Sequence, residues 1–288
     1  MKKLGVILVG LTMSLGVAYS QERVDSVSTS TEGSSKGDTG YNPLSVRPVH
    51  VSDIMWKKGI VRAMDLREKQ NTPLFSKNRE LTKLILEAVL KGDITPYTND
   101  SIASKLTMDD FNTNLLMPSD VAPMTIEEKQ ITFAQDGDSS IFKNSDAESY
   151  SAKDIYMLQL TEDMLFDKQR SRLYYDILSV TLMISPDHPR NTKGIEVNIA
   201  SFSYKELVEK VFKDNPKAIW FNVQNDQQHK NLADAFDLRL FSSYIIKVSN
   251  PNDARLVDIY DNDQEKGIRA SQWAAMEILE YEHNLWEF

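Results

Sequence analysis

The last twelve residues, "EILEYEHNLWEF", contain the side chains best suited to chemistry in this sequence: Glu277, Glu280, Glu282 and His283. Carboxylates and imidazoles bind zinc and iron, and Glu280 with His283 has the Glu-x-x-His spacing of di-iron helical bundles. Such bundles need two of these pairs and two further glutamates. The sequence contains no second Glu-x-x-His, so the spacing alone does not indicate a metal site.

The same residues fit an amphipathic helix from about Ile268 to Trp286. A helical wheel puts an acidic set on one face and an apolar set on another: Met276, Glu280, His283 and Glu287 against Ala274, Ile278, Tyr281 and Leu285, with Leu279 and Trp286 beside the second set. We expect Trp273 to pack into the domain. The candidate partner interface is Glu280, His283, Trp286 and Glu287, because aromatic anchors and acidic rims are typical of docking surfaces.

A second acidic stretch, "DIYDNDQEKG", has alternating Asp261, Asp263 and Glu265, as in an EF-hand loop. Its glycine, Gly267, lies one position too late for the sharp turn. The twelfth position is Gln272, where the loop needs a bidentate glutamate. The stretch therefore predicts a turn before a helix, without calcium.

Other catalytic patterns are missing from the sequence. The remaining histidines, His50, His188 and His229, lie in polar or proline-rich stretches. There is no cysteine, no Gly-x-Ser-x-Gly elbow and no glycine-rich phosphate loop. We therefore predict no catalytic, metal-binding or cofactor-binding residue. The alternative that stays open is a periplasmic metal-dependent hydrolase that uses the C-terminal acidic and histidine cluster.

Composition and charge limit the possible partners. The 288 residues are 41% hydrophobic, which is enough to bury the core of one large or two small domains. The formal net charge is -9. Without a basic surface for phosphates, a nucleic-acid partner is excluded, whereas a basic protein surface is compatible with this charge.

The first twenty residues have the pattern of a secretory signal peptide. Lys2 and Lys3 precede an apolar run from Leu4 to about Val17, and small residues lead to a predicted cleavage between Ser20 and Gln21. The apolar run is shorter than the ~20 residues of a membrane-spanning helix. With no cysteine, neither lipidation of a cysteine nor a disulfide is available, so we expect an exported, soluble protein.

Residues 21–49 are rich in Ser, Thr and Gly and offer little apolar surface to bury. We predict a disordered linker, because such a segment cannot offset the entropy of ordering. It is either a spacer or an arm that becomes ordered on a neighbouring subunit. Residues 50–288 are predicted to form the folded domain.

Within that domain, helix and strand patterns alternate without a strict βαβ rhythm. Residues 58–66 favour a strand over a short helix, and residues 79–93 favour a helix that Gly92 ends. Thr107 predicts the start of another helix, and residues 117–140 predict an irregular excursion. The segment "SAKDIYMLQL" is interpreted as a short helix capped by Ser151.

The strongest hairpin signal surrounds "DKQRS", between two β-rich runs. The second run is apolar on both faces, which predicts a central strand covered on both sides. "IEVNIASF" predicts a further strand before a helix capped by Ser203 and Glu206, and a helix in "NLADAFDLRLF" precedes a strand in "SSYIIKVSN". The predicted class is α+β, with a mixed, mainly antiparallel sheet and flanking helices.

Three blocks in this order resemble the GldN family, also called PorN, of the type IX secretion system of Bacteroidetes. They are "DIMWKKGIVRAMDLREKQNTPLF", "MLFDKQRSRLYYDILSV" and "EYEHNLWEF". The residues that carry the resemblance are Trp56, Asp65, Leu66, Glu68, Asn71, Pro73, Leu74, Phe166, Asp167, Lys168, Leu173, Tyr174, Glu282, His283 and Trp286.

The resemblance implies a non-enzymatic periplasmic subunit associated with the outer membrane. Members of the family assemble with the outer-membrane lipoprotein GldK (PorK) into a ring associated with peptidoglycan. The periplasmic part of the motor component GldM (PorM) contacts that ring. The resemblance therefore implies as partners the lipoprotein, the motor, further copies of the chain and peptidoglycan.

Overall fold

A computed structural model describes residues 40–117, 149–191, 194–260 and 263–285. Several predictions concern residues outside these ranges. They are the signal peptide with Ser20 and Gln21, the arm up to residue 39, the excursion beyond Met117, and the interface residues Trp286 and Glu287.

Five strands form one antiparallel sheet in the order β4-β3-β2-β1-β7. They are β1 (Ile54–Asp65), β2 (Met157–Asp167), β3 (Arg172–Ile184), β4 (Val197–Ser203) and β7 (Tyr244–Val248). Two short strands, β5 (Ile219–Trp220) and β6 (Lys230–Asn231), pair separately. Together with the helices, this arrangement confirms the α+β class and its antiparallel sheet.

Helices occupy the connections and the C-terminal part of the described chain. They are α1 (Leu81–Lys91), α2 (Met108–Leu115), α3 (Tyr204–Glu206), α4 (Leu232–Asp237), α5 (Leu256–Ile259) and α6 (Gln264–Leu285). A π-helix, Leu207–Phe212, continues α3, and 3-10 turns lie at Val51–Asp53 and Thr72–Leu74. No helix among the described residues is both long and apolar enough to cross a bilayer.

Local signals account for several of these elements. The predicted face of α1 is buried, and Gly92 ends the helix with φ of 80°, a left-handed conformation that favours glycine. The Thr107 hydroxyl accepts a hydrogen bond from Asp110 N at 3.2 Å, which caps α2. The predicted hairpin is formed by β2 and β3, and residues 58–66 lie mainly in β1. These predictions are confirmed.

The predicted helix at "SAKDIYMLQL" is wrong. Ser151 begins a turn in which the Asp154 carboxylate accepts hydrogen bonds from Ser151 N and Oγ, and the chain then enters β2. Leu158 pairs with Met64 of β1 and with Leu182 of β3. Pairing with two strands distant in sequence overrides the local helical pattern.

The predicted cap by Ser203 is also wrong in its chemistry. Ser203 occupies the N-cap position of α3, but its side chain makes no capping hydrogen bond. Glu206 instead accepts a hydrogen bond from Thr95 N at 3.4 Å.

Most of the core lies on one face of the sheet. Directly paired residues share a face, so Met64, Leu158 and Leu182 lie together in the larger cluster. The helices α1, α2 and α4 and the π-helix contribute Leu84, Phe111, Phe236 and Phe212 to it. A smaller cluster contains Ile60, Met164, Ile245 and Ile278, and Ile278 belongs to α6. The C-terminal helix therefore has a small core of its own.

Asn71 joins the turn after β1 to the chain before β7. It is fully buried, and its Nδ2 donates to the carbonyls of Asp65 and Ser242 at 2.7 and 2.9 Å. Its Oδ1 accepts from Ser242 N at 2.7 Å. One side chain thus satisfies three partly buried backbone groups, which belong to residues 65 and 242.

Replacing Asn71 with alanine should lower the free energy of unfolding by about 1–3 kcal/mol, because the partners would be left unsatisfied. Urea unfolding of the protein measures this loss. The exposed Asn252 is the matched control, and its replacement by alanine should change stability by less than about 0.5 kcal/mol. Equal losses from both variants would contradict this role of Asn71.

Candidate partner-binding helix

One side of α6 packs against the sheet. Ile278, at 5% exposure, lies in the smaller core cluster, and Ala274 and Ala275 are partly buried against it. Ser271 is also buried. The side chains at Ser271, Ala274 and Ala275 are small, which allows the helix to approach the strands closely. The predicted apolar face containing Ala274 and Ile278 is therefore the docked face.

An aromatic pair fixes α6 against the start of β1. The rings of Trp56 and Tyr281 stack with centroids 4.6 Å apart and an interplanar angle of 29°. At the other end of the helix, an added Cβ at Gly267 would come within 2.6 Å of Val257 Cγ2, so a glycine permits the close approach of α5. Contacts near both ends hold the helix in place.

The opposite side of α6 exposes four apolar side chains. Ile268 and Leu279 are each 61% exposed, Met276 is 67% exposed and Trp273 is 77% exposed. We call these four residues the outer stripe. Large apolar side chains grouped on an exposed surface are typical of interaction sites.

The prediction that Trp273 packs into the domain is therefore wrong. Residues five positions apart differ by about 140° around an α-helix, so Trp273 points away from the sheet when Ile278 points towards it. A helical wheel separates the faces of a helix correctly. It does not determine which of two apolar faces packs against the core.

The interface residues that the structure describes lie beside the outer stripe. Glu280 and His283 are both exposed, and so is the neighbouring Glu277. The predicted solvated acidic face is thus present at these positions, but it is interleaved with Met276 and Leu279. The resulting surface is apolar with carboxylates at its margin.

The geometry gives no support to a metal at this surface. In the part of the chain that the structure describes, no three or more His, Asp or Glu side chains are grouped closely enough to hold a metal ion. Asp263, from the EF-hand-like stretch, instead accepts hydrogen bonds from Glu265 N at 3.0 Å and Lys266 N at 3.4 Å. These bonds lower the pKa of Asp263, together with the Lys266 side chain. This carboxylate caps the start of α6.

A buried ionic cluster lies between the two apolar clusters on the same face of the sheet. Glu162 has 0% side-chain exposure and accepts hydrogen bonds from Arg62 Nε at 3.1 Å and from both terminal nitrogens of Arg239 at 3.1 and 3.2 Å. Burial lowers the pKa of Arg62, while the neighbouring Glu162 acts in the opposite direction. The single carboxylate of Glu162 is therefore the hydrogen-bond acceptor and counter-charge for two guanidinium groups.

The ring of Tyr175 connects this cluster to α6. The guanidinium carbon of Arg239 lies 4.5 Å from the ring centroid, and that of Arg62 lies 5.7 Å from it. Burial raises the pKa of Tyr175. The positive charges of Arg62 and Arg239 lower this pKa, and the negative charge of Glu282 on α6 raises it. The sequence analysis missed this cluster, because Arg62, Glu162 and Arg239 are isolated charges far apart in the chain.

The fold is an α+β domain whose C-terminal helix exposes an apolar stripe bordered by carboxylates. The profile of a family described as gliding motility associated protein GldN matches residues 49–287. The chain therefore belongs to the GldN family, as the three sequence blocks indicated. No curated protein matches the chain. Membership in this family of gliding motility proteins supports a role in gliding motility and type IX secretion.

Many residues that carried the resemblance hold the fold together. Trp56 stacks on α6, and Asn71 bonds the chain before β7. Asp167, at the β2–β3 turn, accepts from Gln169 N at 2.8 Å and from Arg170 Nη1 at 2.8 Å. These three residues of the first two blocks therefore lie at junctions of the domain.

Proposed function

We propose that the chain is a non-enzymatic periplasmic subunit of the type IX secretion and gliding machinery. In this proposal it forms a peptidoglycan-associated ring beneath the outer membrane with the lipoprotein GldK (PorK) and is contacted by the motor component GldM (PorM). The observation that carries the protein-binding part of the proposal is the outer stripe of α6. The identity of the machine and its partners is supported by membership in the GldN family.

The outer stripe suits a partner with an apolar groove and a basic margin. Trp273 supplies an aromatic contact surface and Met276 a flexible one, and both residue types are enriched at interfaces. Glu277 and Glu280 are placed to steer a basic surface into position, which increases the association rate more than the final affinity. We assign this surface to the lipoprotein.

The metal-dependent hydrolase has less support. Glu280 and His283 are solvent-exposed on a helix, and no third ligand approaches them among the described residues. A hydrolytic zinc needs three protein ligands and a position for water. Metal analysis of the purified protein tests this alternative, since a stoichiometric metal lost in His283→Ala would favour it.

Replacing Trp273 and Met276 together with alanine should leave folding unchanged and strongly reduce recovery of the lipoprotein. Truncating central interface anchors typically costs about 1–4 kcal/mol, which corresponds to a weakening of about fivefold to several hundredfold. The measurement is affinity purification from the native envelope, with the lipoprotein and motor components quantified against the bait. Urea unfolding of the variant checks that the domain is intact.

The matched control is Leu90→Ala, because Leu90 is 67% exposed on α1, away from α6. It should leave both folding and recovery unchanged. A second variant, Glu277→Gln with Glu280→Gln, should reduce recovery most at low salt, because added salt already screens these carboxylates in the unmodified protein. Full recovery of the lipoprotein with the Trp273 and Met276 variant would reject the outer stripe as its binding surface. Fractionation of the envelope tests the proposed periplasmic location independently.

A further inference from the structure

The N-terminal half of β3 has one unpaired side. β4 pairs with β3 only over Ser179–Ile184, although β3 begins at Arg172. Over residues 172–177, β2 is the only described strand that pairs with β3. The free side of such a strand presents backbone donors and acceptors that another extended segment can pair with.

A groove of about 430 Å³ is lined by residues 172–177 of β3. Residues 236–239 form one of its borders, and Val46, Arg47 and Val49 form another. Leu165 of β2 adds to the aliphatic part of the lining. The unpaired part of β3 therefore lies in a groove with an apolar side, which suits an extended segment that carries apolar side chains.

The hydroxyl of Tyr204 lacks a hydrogen-bond partner in this groove. Tyr204 is 2% exposed and is part of the lining, and no described atom bonds to its hydroxyl. Buried polar atoms are normally satisfied. Burial raises the pKa of Tyr204, so the hydroxyl keeps its proton and acts as a donor. The backbone carbonyl of a bound segment can supply the missing acceptor.

Most charged side chains of the groove already have partners within the domain. Arg47 forms an ion pair with Asp237 at 2.7 Å, and Arg239 belongs to the buried ionic cluster. The Asp176 carboxylate accepts a hydrogen bond from the Ser45 side chain. These groups are therefore not available to a ligand without breaking an existing contact.

Arg172 is different, because it is exposed at the start of β3 and forms no ion pair with a described residue. Its guanidinium carbon lies 5.6 Å from the ring centroid of Tyr174. Asp176 is four residues further along the strand, which is about 13 Å away and beyond the ~8 Å over which physiological salt screens charges. A carboxylate at Arg172 would therefore be attracted by the guanidinium and repelled little by Asp176.

We propose that this groove binds an extended segment of another protein, which joins the free side of β3 as an antiparallel strand and places a carboxylate on Arg172. The antiparallel direction continues the pairing of the whole five-stranded sheet. It puts the acidic residue at the C-terminal end of the segment, because Arg172 begins β3. Apolar side chains of the segment contact Val46 and Val49, and one of its carbonyls accepts from Tyr204. The site uses none of the residues of the outer stripe, so its test is independent of the one for the lipoprotein.

A fluorescent peptide tests the binding and its charge preference. The probe has about six residues and blocked ends, with valine and threonine alternating to favour extended structure and glutamate in the last position. A matched peptide has lysine in the last position. Fluorescence anisotropy should show binding of the glutamate peptide about fivefold or more tighter than that of the lysine peptide.

Variants of the protein assign this preference to one side chain. Arg172→Glu should reverse the preference between the two peptides, because it replaces the guanidinium with a carboxylate. The matched control is Arg79→Glu, which changes another exposed arginine and should leave both affinities unchanged. Equal affinity of the unmodified protein for the two peptides would overturn the role of Arg172.

Hydrogen–deuterium exchange tests the addition of a strand. Saturation with the glutamate peptide should slow amide exchange in residues 172–177 by about fivefold or more and leave exchange in α1 unchanged. Tyr204→Phe removes a buried hydroxyl that has no partner, so the free protein should be at least as stable in urea, while the peptide should bind about threefold more weakly. No saturable binding of the glutamate peptide up to about 1 mM, or binding without slower exchange in residues 172–177, would overturn the proposed site.

Discussion

Replacing Glu162 with alanine should lower the free energy of unfolding by about 3–5 kcal/mol, the largest single effect expected in this domain. Glu162 is fully buried and forms ion pairs with both Arg62 and Arg239. Without it, two guanidinium groups with side-chain exposures of 14% and 27% would face each other with no counter-charge. The measurement is urea unfolding of the protein at pH 7.

The control is Glu265→Ala, which removes an ion pair with Arg269 in which both side chains are more than 70% exposed. Exposed pairs contribute little, so the loss should stay below about 1 kcal/mol. Glu162→Gln keeps the shape and some hydrogen bonding, and it should be destabilised less than Glu162→Ala. Equal stability of the Glu162→Ala and Glu265→Ala variants would show that the cluster does not hold the sheet and α6 together.

Replacing Leu182 with alanine should destabilise the domain by about 2–5 kcal/mol. Leu182 is fully buried in β3, between Leu158 of β2 and Ala200 of β4. Its truncation leaves a cavity in the larger cluster, where neighbours on both sides are held by paired strands. Ile177→Ala should give a loss in the same range, because Ile177 is also buried in this cluster.

Leu178→Ala provides the comparison within the same strand and should cost less than either variant. Leu178 is only partly buried and lies at a register shift between β2 and β3, where β3 has one extra residue. Unfolding midpoints and denaturant slopes of the three variants separate lost packing from altered compactness. A loss below about 1 kcal/mol for both Leu182→Ala and Ile177→Ala would contradict the interior position of β3, between β2 and β4 in the sheet.

β3 shows how far periodicity predicts burial. Its C-terminal half, Ser179–Ile184, is buried throughout and paired on both sides, as its two apolar faces predicted. Its N-terminal half is only partly covered, since β4 is too short to extend along it. The composition of β3 indicates that both of its faces can be buried. The part of β3 that is paired on both sides depends on the length of β4, which a different segment of the chain determines.

The buried ionic cluster shows a second limit. Arg62, Glu162 and Arg239 come from three segments that are far apart in the chain. No local pattern in a single sequence predicts contacts between residues that are so far apart in the chain. Their energies depend on distances and desolvation that arise only after the sheet has formed.

By itself, the sequence determined the class of the fold, the β2–β3 hairpin, the buried face of α1, the presence of a C-terminal amphipathic helix and the family, because these depend on local periodicity, capping and short blocks of residues. The tertiary structure alone decided that residues 157–160 join β2, that Trp273 faces away from the core and that Glu162 holds two arginines. The physical reason is the same in each case. Backbone pairing and burial are contributed by residues far away in the chain, and that contribution outweighs the local preference of any short segment.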